Sequence, residues 1–423
     1  MNWFFNRSRE NETVVIFDVG SSSIGAALAY LQSGKPPSIL LSIREDIPFS
    51  SEVDPERFLL LMLATFEEIS VKIHDLALKR LREIPSALSK TPGRVACVLA
   101  SPWYAVSTNI VSDKRKDKFD ITERYIEEKT AEAAKVLQSK LPTLIFAKLF
   151  SGAKKIIEKK IVKIELDGYE VTRAVGKKAS SFDVSVFISI APSQVVDEIK
   201  NKIGKLWPKS EINFHSFALM AFATLRDLFP QYNDFIFIDV NGEETDVTVV
   251  KDGIAVKNNA FQAGKSTLVR SIVKAFPEIS RPLALSLIQN ANQEPRIGEK
   301  IKNCLTETKK AWEKLFYDTL NQFSEEMFLP RQIFLAVDED VSTIFSGFIK
   351  EGKYNQFTLS SDPFNIMLLD HDKIKEFCTF SEKTVPDPFI ATECIFLNGL
   401  RHHVSSSIPQ NRDILKESSD VHL

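Results

Sequence analysis

Several things are scarce or absent in this chain of 423 residues, and each absence removes a class of protein. It has four cysteines, Cys97, Cys304, Cys378 and Cys394, and no two of them stand at a CxxC or metal-knuckle spacing. That excludes a disulfide scaffold or zinc ribbon and reads as reduced thiols in a cytosolic protein. Long hydrophobic runs are missing too. Phe58–Phe66 and Pro142–Phe150 are among the longest, and both fall short of the ~20 residues that a spanning helix needs. Met1–Glu10 has no apolar segment of the signal-peptide kind. Neither sign of charge dominates: 54 Lys and Arg face 56 Asp and Glu, so nothing global points to nucleic acid, and no such partner is expected. The six histidines, His74, His215, His371, His402, His403 and His422, form no His-x-x-x-His or Glu-x-x-His frame, so no hydrolase constellation is expected.

What is present is apolar pattern. Hydrophobic residues make up 44% of the chain, enough for a large core and for more than one compact unit. Thr13–Asp18 is a β-branched run ending in an acid and reads as a strand buried on both faces. A small-residue turn, Val19–Ser23, leads to a second run, Ile24–Leu31, and Ser38–Ile43 is a third, so a three-stranded meander is expected. Asp54–Ile84 has helical spacing, with Asp54 suited to the N-cap, Pro55 to the first helical position and Pro85 to the stop. The same phrase returns at Phe235–Val240, where a buried strand ends in Asp239. Asn241–Glu244 is its turn, Thr245–Val250 its second strand, Lys251-Asp252-Gly253 a hairpin signal and Ile254–Val256 the return. The repetition points to a duplicated α/β half. Between the halves, Thr91–Pro208 reads as a compact α+β unit. Its strands are expected at Arg94–Ala100, Lys160–Leu166 and Phe182–Ile190, with Val95–Ala100 and Val184–Ile190 in one sheet. Helices are expected at Thr122–Gln138 and Pro192–Leu206. Further on, helices are expected at Ser266–Phe276, Arg296–Phe328 and Pro386–Leu400, and a strand at Gln332–Val337. The polar tail 403–423 is expected to be disordered.

Two turns could carry chemistry. In Asp18-Val19-Gly20-Ser21-Ser22-Ser23, backbone N–H groups and serine hydroxyls could close on a phosphate, and the acid could hold a metal-bound water. A tight turn after an acid has the same composition. Asp239-Val240-Asn241-Gly242-Glu243-Glu244-Thr245-Asp246 is the second such turn. Its two glutamates oppose a triphosphate unless they point away, because like charges ~4 Å apart cost ~4 kcal/mol at an effective dielectric near 20. Gly264-Lys265-Ser266 resembles the end of a P-loop, but Asn259 stands where the first glycine belongs and the segment follows a hairpin. Residues 94–178 carry 18 Lys and Arg against 11 Asp and Glu, either a solvated face or a surface for an acidic partner or anionic lipid.

Taken in order, these segments resemble the actin-like ATPase superfamily, in its FtsA and PilM branch, over about residues 12–402. Asp18–Ser23 is similar to the first phosphate loop, Asp239–Asp246 to the second, Phe261–Gly264 to the glycine turn after it, and Pro388–Arg401 to the final helix. Thr91–Pro208 stands where that branch carries its extra 1C, SHS2-type subdomain. The resemblance implies an α/β, two-lobed actin-like (ribonuclease H-like) fold. Residues 12–90 would begin the first lobe, 91–210 form the insertion, 211–235 the return helix, 236–365 the second lobe and 366–402 the closing helix region. It implies ATP and magnesium as ligands. Asp18, Gly20, Ser21, Ser22, Asp239, Gly242, Thr245, Asp246 and Gly264 would line the nucleotide site, and Asp18 and Asp239 would hold the metal. This chain also departs from the family. Gly25 stands where a phosphate-binding lysine is usual, and Asn241 and Glu243 replace glycines. No nucleoside-gripping Glu and Lys occur near Ala284–Gln289, and three acids, Asp338–Asp340, stand in the adenine loop, where glycine lets backbone approach closely.

Three functional readings stay open on the sequence. One is a cytoplasmic scaffold or adaptor with weak or no ATP binding, docked through residues 91–208 on a membrane-associated protein of a pilus or secretion machine at the inner face of the membrane. The second is a division adaptor linking filaments to the membrane, for which Trp3, Phe4 and Phe5 could supply a peripheral contact. The third is a magnesium-dependent ATPase in which Asp18 and Asp239 act catalytically. Self-association is compatible with each.

Overall fold

The structure is a computed structural model that describes residues 11–50, 52–83, 91–139, 145–290, 295–382 and 384–402. Trp3, Phe4, Phe5, Pro85 and the tail 403–423 lie outside the described residues. The strands are β1 (Asn11–Val19), β2 (Ser23–Gln32), β3 (Ser38–Asp46), β4 (Arg94–Leu99), β5 (Ala105–Asp120), β6 (Lys154–Leu166), β7 (Tyr169–Glu170), β8 (Lys178–Pro192), β9 (Glu211–Ser216), β10 (Phe235–Val240), β11 (Thr245–Lys251), β12 (Ile254–Phe261), β13 (Gln332–Val337), β14 (Asn365–Leu368) and β15 (Thr379–Phe380). The helices are α1 (Pro55–Glu83), α2 (Glu123–Ser139), α3 (Ser193–Leu206), α4 (Phe217–Leu228), α5 (Lys265–Ala275), α6 (Arg281–Gln289), α7 (Pro295–Ser324), α8 (Ser342–Glu351), α9 (His371–Ile374) and α10 (Pro388–His402).

Three sheets organise these elements. The first runs β15-β3-β2-β1-β4-β9 and the second β12-β11-β10-β13-β14. Each contains the same five-strand order: a meander, then two strands added parallel to its first member. The duplication read from the two strand–Asp phrases is thus a duplication of sheet topology, and the fold has two actin-like lobes.

Each meander begins with a strand that has no polar face. In β1, Val15, Phe17 and Val19 pack against α1 and α3, while Val14 and Ile16 pack against α4 and α10. In β10, Ile236 and Ile238 face α5, α7 and α8, while Phe235 and Phe237 join the core around α4 and α10. Helices α4 and α10 therefore lie in the core that the lobes share. A strand buried on both faces reads as a continuous apolar run, which is why both were visible in the sequence. Helix α1 starts where expected, with the Asp54 carboxylate accepting from the backbone N–H of Glu56 (2.9 Å) and Arg57 (3.0 Å). Asp54→Ala should cost about 1 kcal/mol, read as a shift of the urea midpoint.

One expectation fails. Val95–Ala100 does not share a sheet with Val184–Ile190: β4 pairs with β1 and β9 in the first lobe. Strand β8 lies between β6 and β5, and β5 has no counterpart among the expected strands. The four-stranded sheet β5-β8-β6-β7 and α2 make up the inserted unit, with Phe182, Val184, Val186, Ile188 and Ile190 packed against α2. Thr122 caps α2 by accepting from the N–H of Tyr125 (3.2 Å). Helix α3, expected within the inserted unit as Pro192–Leu206, instead packs with α1 in the first lobe, because its apolar face of Val195, Val196, Ile199 and Ile203 joins that core.

Candidate functional site: the junction of the two strand–Asp turns

The β1–β2 turn and the β10–β11 turn meet where the lobes face each other. Their contact is direct. The backbone N–H of Glu243 donates to the Ser21 hydroxyl (2.9 Å), and a Cβ added to Gly242 would stand 2.7 Å from both N and Cβ of Ser22. Gly242 is needed because the first turn lies against it, with no phosphate-sized gap between them. Two small cavities flank the contact. One, of about 20 Å³, lies among Ser21, Ser22, Glu243, Ser266, Arg270 and Arg281. The other, of about 10 Å³, touches Asp18, Ser23, Arg44, Asp239, Asn241 and Asp338. Cavities of that size hold about one water each.

Each residue expected at a nucleotide already has protein partners. Asp18 accepts from Arg44 (2.6 Å), which also pairs with Asp387 (2.6 Å) and donates to Ser23 (3.0 Å). Register explains the first pair. Asp18 stands opposite Gly25 in the β1–β2 ladder, and Gly25 stands opposite Arg44 in the β2–β3 ladder. The arginine reaches across the bare glycine: a Cβ at position 25 would come within 2.7 Å of its guanidinium. The absence of a side chain at position 25 is thus filled from the next strand. Gly20 makes a tight turn, its N–H donating to the Ser23 carbonyl (3.1 Å), while its own carbonyl accepts from the Trp103 indole (2.7 Å). The Ser22 carbonyl accepts from the Ile47 N–H (2.9 Å). Thr245 donates to the Ala263 carbonyl (2.6 Å) and accepts from the Trp312 indole (3.1 Å). Asp246 accepts from Tyr104 (2.7 Å), Ser101 (3.0 Å) and Asn258 (2.7 Å).

The start of α5 is spoken for as well. A helix N-terminus offers free N–H groups to anions. Here the N–H of Lys265 donates to the Asn241 carbonyl (2.9 Å) and that of Ser266 to the Gly242 carbonyl (2.7 Å). The second turn is itself the acceptor. Gly264 permits this approach, since a Cβ there would lie 2.2 Å from the Asn241 carbonyl oxygen.

Of the two glutamates that oppose a triphosphate one is paired, and two of the three acids of the 335–342 segment are paired as well. Glu243 makes a bidentate pair with Arg270 (3.0 and 2.5 Å). Asp338 and Asp340 share the Lys265 ammonium (2.8 and 2.7 Å). Burial alone would lower the pKa of that lysine, but its two carboxylates carry it upward. Arg281 reaches from α6 to the Ile47 carbonyl (3.3 Å) in the first lobe.

Beneath this paired layer lie carboxyls that are not matched. Burial pushes Asp239 well above the usual range, and Asp246 and Asp18 push it further. Asn241 donates to one of its oxygens (2.6 Å), and the other has no partner. Glu393 on α10 is fully buried beside Asp18, and burial, then Asp18, raise it well above the usual range. Asp18 is also raised by burial, against the pull of Arg44. Glu244 is pushed up to about 8, by burial first and then by Asp246 and Glu243. Among the described residues no group of three His, Cys, Asp or Glu side chains is placed to hold a metal ion.

The two turns, Gly264 and the 335–342 segment come together at this junction. Arg44, Arg270, Arg281, Trp103, Tyr104 and Glu393 were missed. Glu393 alone left a signal, as a lone acid inside the apolar run Phe389–Leu397.

The two repeated lobes and the turns between them define the actin-like ATPase fold. No family model matches the chain, and no curated protein does. Among solved structures, the chain is similar to the PilM-PilN type IV pilus biogenesis complex, with a TM-score of 0.61 at 12% identity over 95% of this chain and 100% of that one. It also matches the ethanolamine utilization protein EutJ from Carboxydothermus hydrogenoformans (TM-score 0.43, 11% identity, 93% and 92% covered). A third match is MreB 5 of Spiroplasma citri bound to AMPPNP (TM-score 0.41, 10% identity, 92% and 97% covered).

Proposed function

We propose that this chain is an actin-like scaffold that works without nucleotide chemistry and docks on a membrane-associated protein through its inserted unit. The observation that carries the first half is the sealed contact between the turns, Gly242 against Ser22 and Glu243 against Ser21. Magnesium triphosphate does not fit the residues as they stand. Asp18 is held by Arg44, and the N–H groups at the start of α5 are held by the second turn. Calorimetry with MgATP is expected to show no binding up to millimolar nucleotide. A micromolar Kd, about −8 kcal/mol, would overturn this half of the reading and reopen the ATPase alternative.

The docking half is supported by the likeness to PilM, which was solved with PilN, and by the place of the insertion at the edge of the first lobe. Among the described residues no helix is long and apolar enough to cross a membrane. A photo-crosslinker at Ile110, exposed on β5, is expected to yield an adduct with an integral membrane protein in cells. Adducts confined to soluble proteins or to a second copy of the chain would sink this half.

A further inference from the structure

Five residues, Ala100–Tyr104, join β4 of the first lobe to β5 of the insertion, and the last four of them touch both turns at once. The Trp103 indole donates to the Gly20 carbonyl of the first turn (2.7 Å). The hydroxyls of Tyr104 (2.7 Å) and Ser101 (3.0 Å) donate to one oxygen of Asp246, the residue paired with Asp239 in the second lobe. The Trp103 ring is fully buried and stacks on Phe58 of α1 (5.0 Å, 10° between planes). Phe58 in turn meets Phe146 (5.5 Å), in the short turn of helix that precedes β6. Four residues further on, the Thr108 hydroxyl of β5 donates to the Ala255 carbonyl of the second lobe (2.5 Å).

We propose that Ser101–Tyr104 is a coupling segment: it ties the position of the inserted unit to the closure of the two turns. Seating a protein on the insertion then changes how tightly the lobes close, and closure changes the affinity for that protein by the same factor. The signalling role rests on the insertion being the docking site, whereas the mechanical link does not.

Physical chemistry makes the segment hard to bypass. Asp246 is 3% exposed, and opening the lobes would strip it of two hydroxyl donors while it stays largely away from water. Asn258 would remain on the other oxygen, but the oxygen that Ser101 and Tyr104 share would lose both hydroxyl donors, which is costly for a buried carboxylate. The stacked Trp103 and Phe58 rings resist bending between those contacts. Motion of the second lobe therefore arrives at the root of β5 as a displacement.

Hydrogen exchange on the full chain tests this without nucleotide or partner. Asn109→Ala removes a bond from β5 to the Ala133 carbonyl of α2 (3.0 Å) and loosens the insertion at a distance from the turns. It should speed exchange in α2 and also, by about threefold or more, in residues 241–247, the size of a modest coupling between linked residues. In a Tyr104→Phe background, which deletes only the hydroxyl, the same change should stay inside the insertion. If Asn109→Ala leaves 241–247 unchanged in both backgrounds, the coupling is wrong. Ser101→Ala should reproduce the Tyr104→Phe result, and failure to do so would assign the effect to Tyr104 packing instead. The MgATP titration is independent: ATP binding would overturn the nucleotide-free reading and leave this result standing.

Discussion

Arg44→Met is expected to lose about 3–4 kcal/mol of unfolding free energy at pH 7, seen as a lower urea midpoint with an unchanged slope. The reason is what the arginine leaves behind. Asp18 and Asp387 are both in contact with it, and Asp18 lies beside the buried Glu393. Without the guanidinium, the folded state must hold Asp18 as the neutral acid. An ordinary Asp ionises near 3.9 when unfolded, so keeping the proton at pH 7 costs about 1.4 kcal/mol per unit of difference. The sign follows. A group whose folded pKa is raised contributes stability that is present below its unfolded pKa and lost as pH rises. The deficit of Arg44→Met should therefore be small near pH 4 and grow toward pH 7. Adding Asp18→Asn should recover most of the loss and remove its pH dependence, since no acid then needs a proton at that position. If the single variant matches wild type at pH 7, Arg44 does not neutralise this site. If the double variant is no better than the single, the loss is one of packing rather than charge.

This arrangement also says which parts of the site sequence could reveal. Strands β1 and β10 were legible because burial on both faces leaves no polar residue to interrupt the run. The turns were legible because each follows an acid at a strand end. Strand β5 was not: its second half, Asp113–Asp120, is mostly exposed charge along an edge, which looks like a solvated loop until β8 is seen beside it. Strand β9, Glu211–Ser216, is short and has four polar side chains among its six, so it shows no apolar run. The cations were the least visible. Arg44 matters because of a register across three strands, and Arg270 because the second turn brings Glu243 to its helix face. Sequence shows that charges exist at these positions; pairing depends on register and on lobe placement, which no local pattern encodes.

The substitutions that looked like losses from a nucleotide site thus have a shared physical sense. Gly25 makes room for Arg44, Glu243 holds Arg270, and Asp338 and Asp340 hold Lys265. Each pair holds opposite charges together at or beside the junction of the two turns. Pairing one partner and leaving the other buried would be costly, so the substitutions are coherent only together.

Glu244 supplies the second large effect, and it runs opposite to ordinary acid denaturation. Its folded carboxyl keeps its proton up to about pH 8, whereas the unfolded side chain releases it near its ordinary value of 4.5. Between those values the folded state binds more protons than the unfolded one, so stability falls as pH rises and levels off above about 8. The stabilising contribution is fully present below the unfolded value and lost on passing the folded one. Asp18, Asp239, Asp246 and Glu393 are raised by burial and push in the same direction, so the wild-type slope is a sum. The part due to Glu244 is isolated by Glu244→Gln, which keeps the shape and cannot ionise. Urea midpoints for both proteins at pH 5, 6, 7 and 8 should begin within about 1 kcal/mol of each other and diverge by a few kcal/mol, with the glutamine variant the more stable at pH 8. Parallel curves would mean that Glu244 ionises freely in the folded state. A wild-type midpoint that rises with pH would mean that the buried acids are already paired with cations, and the unmatched layer beneath the turns would have to be abandoned.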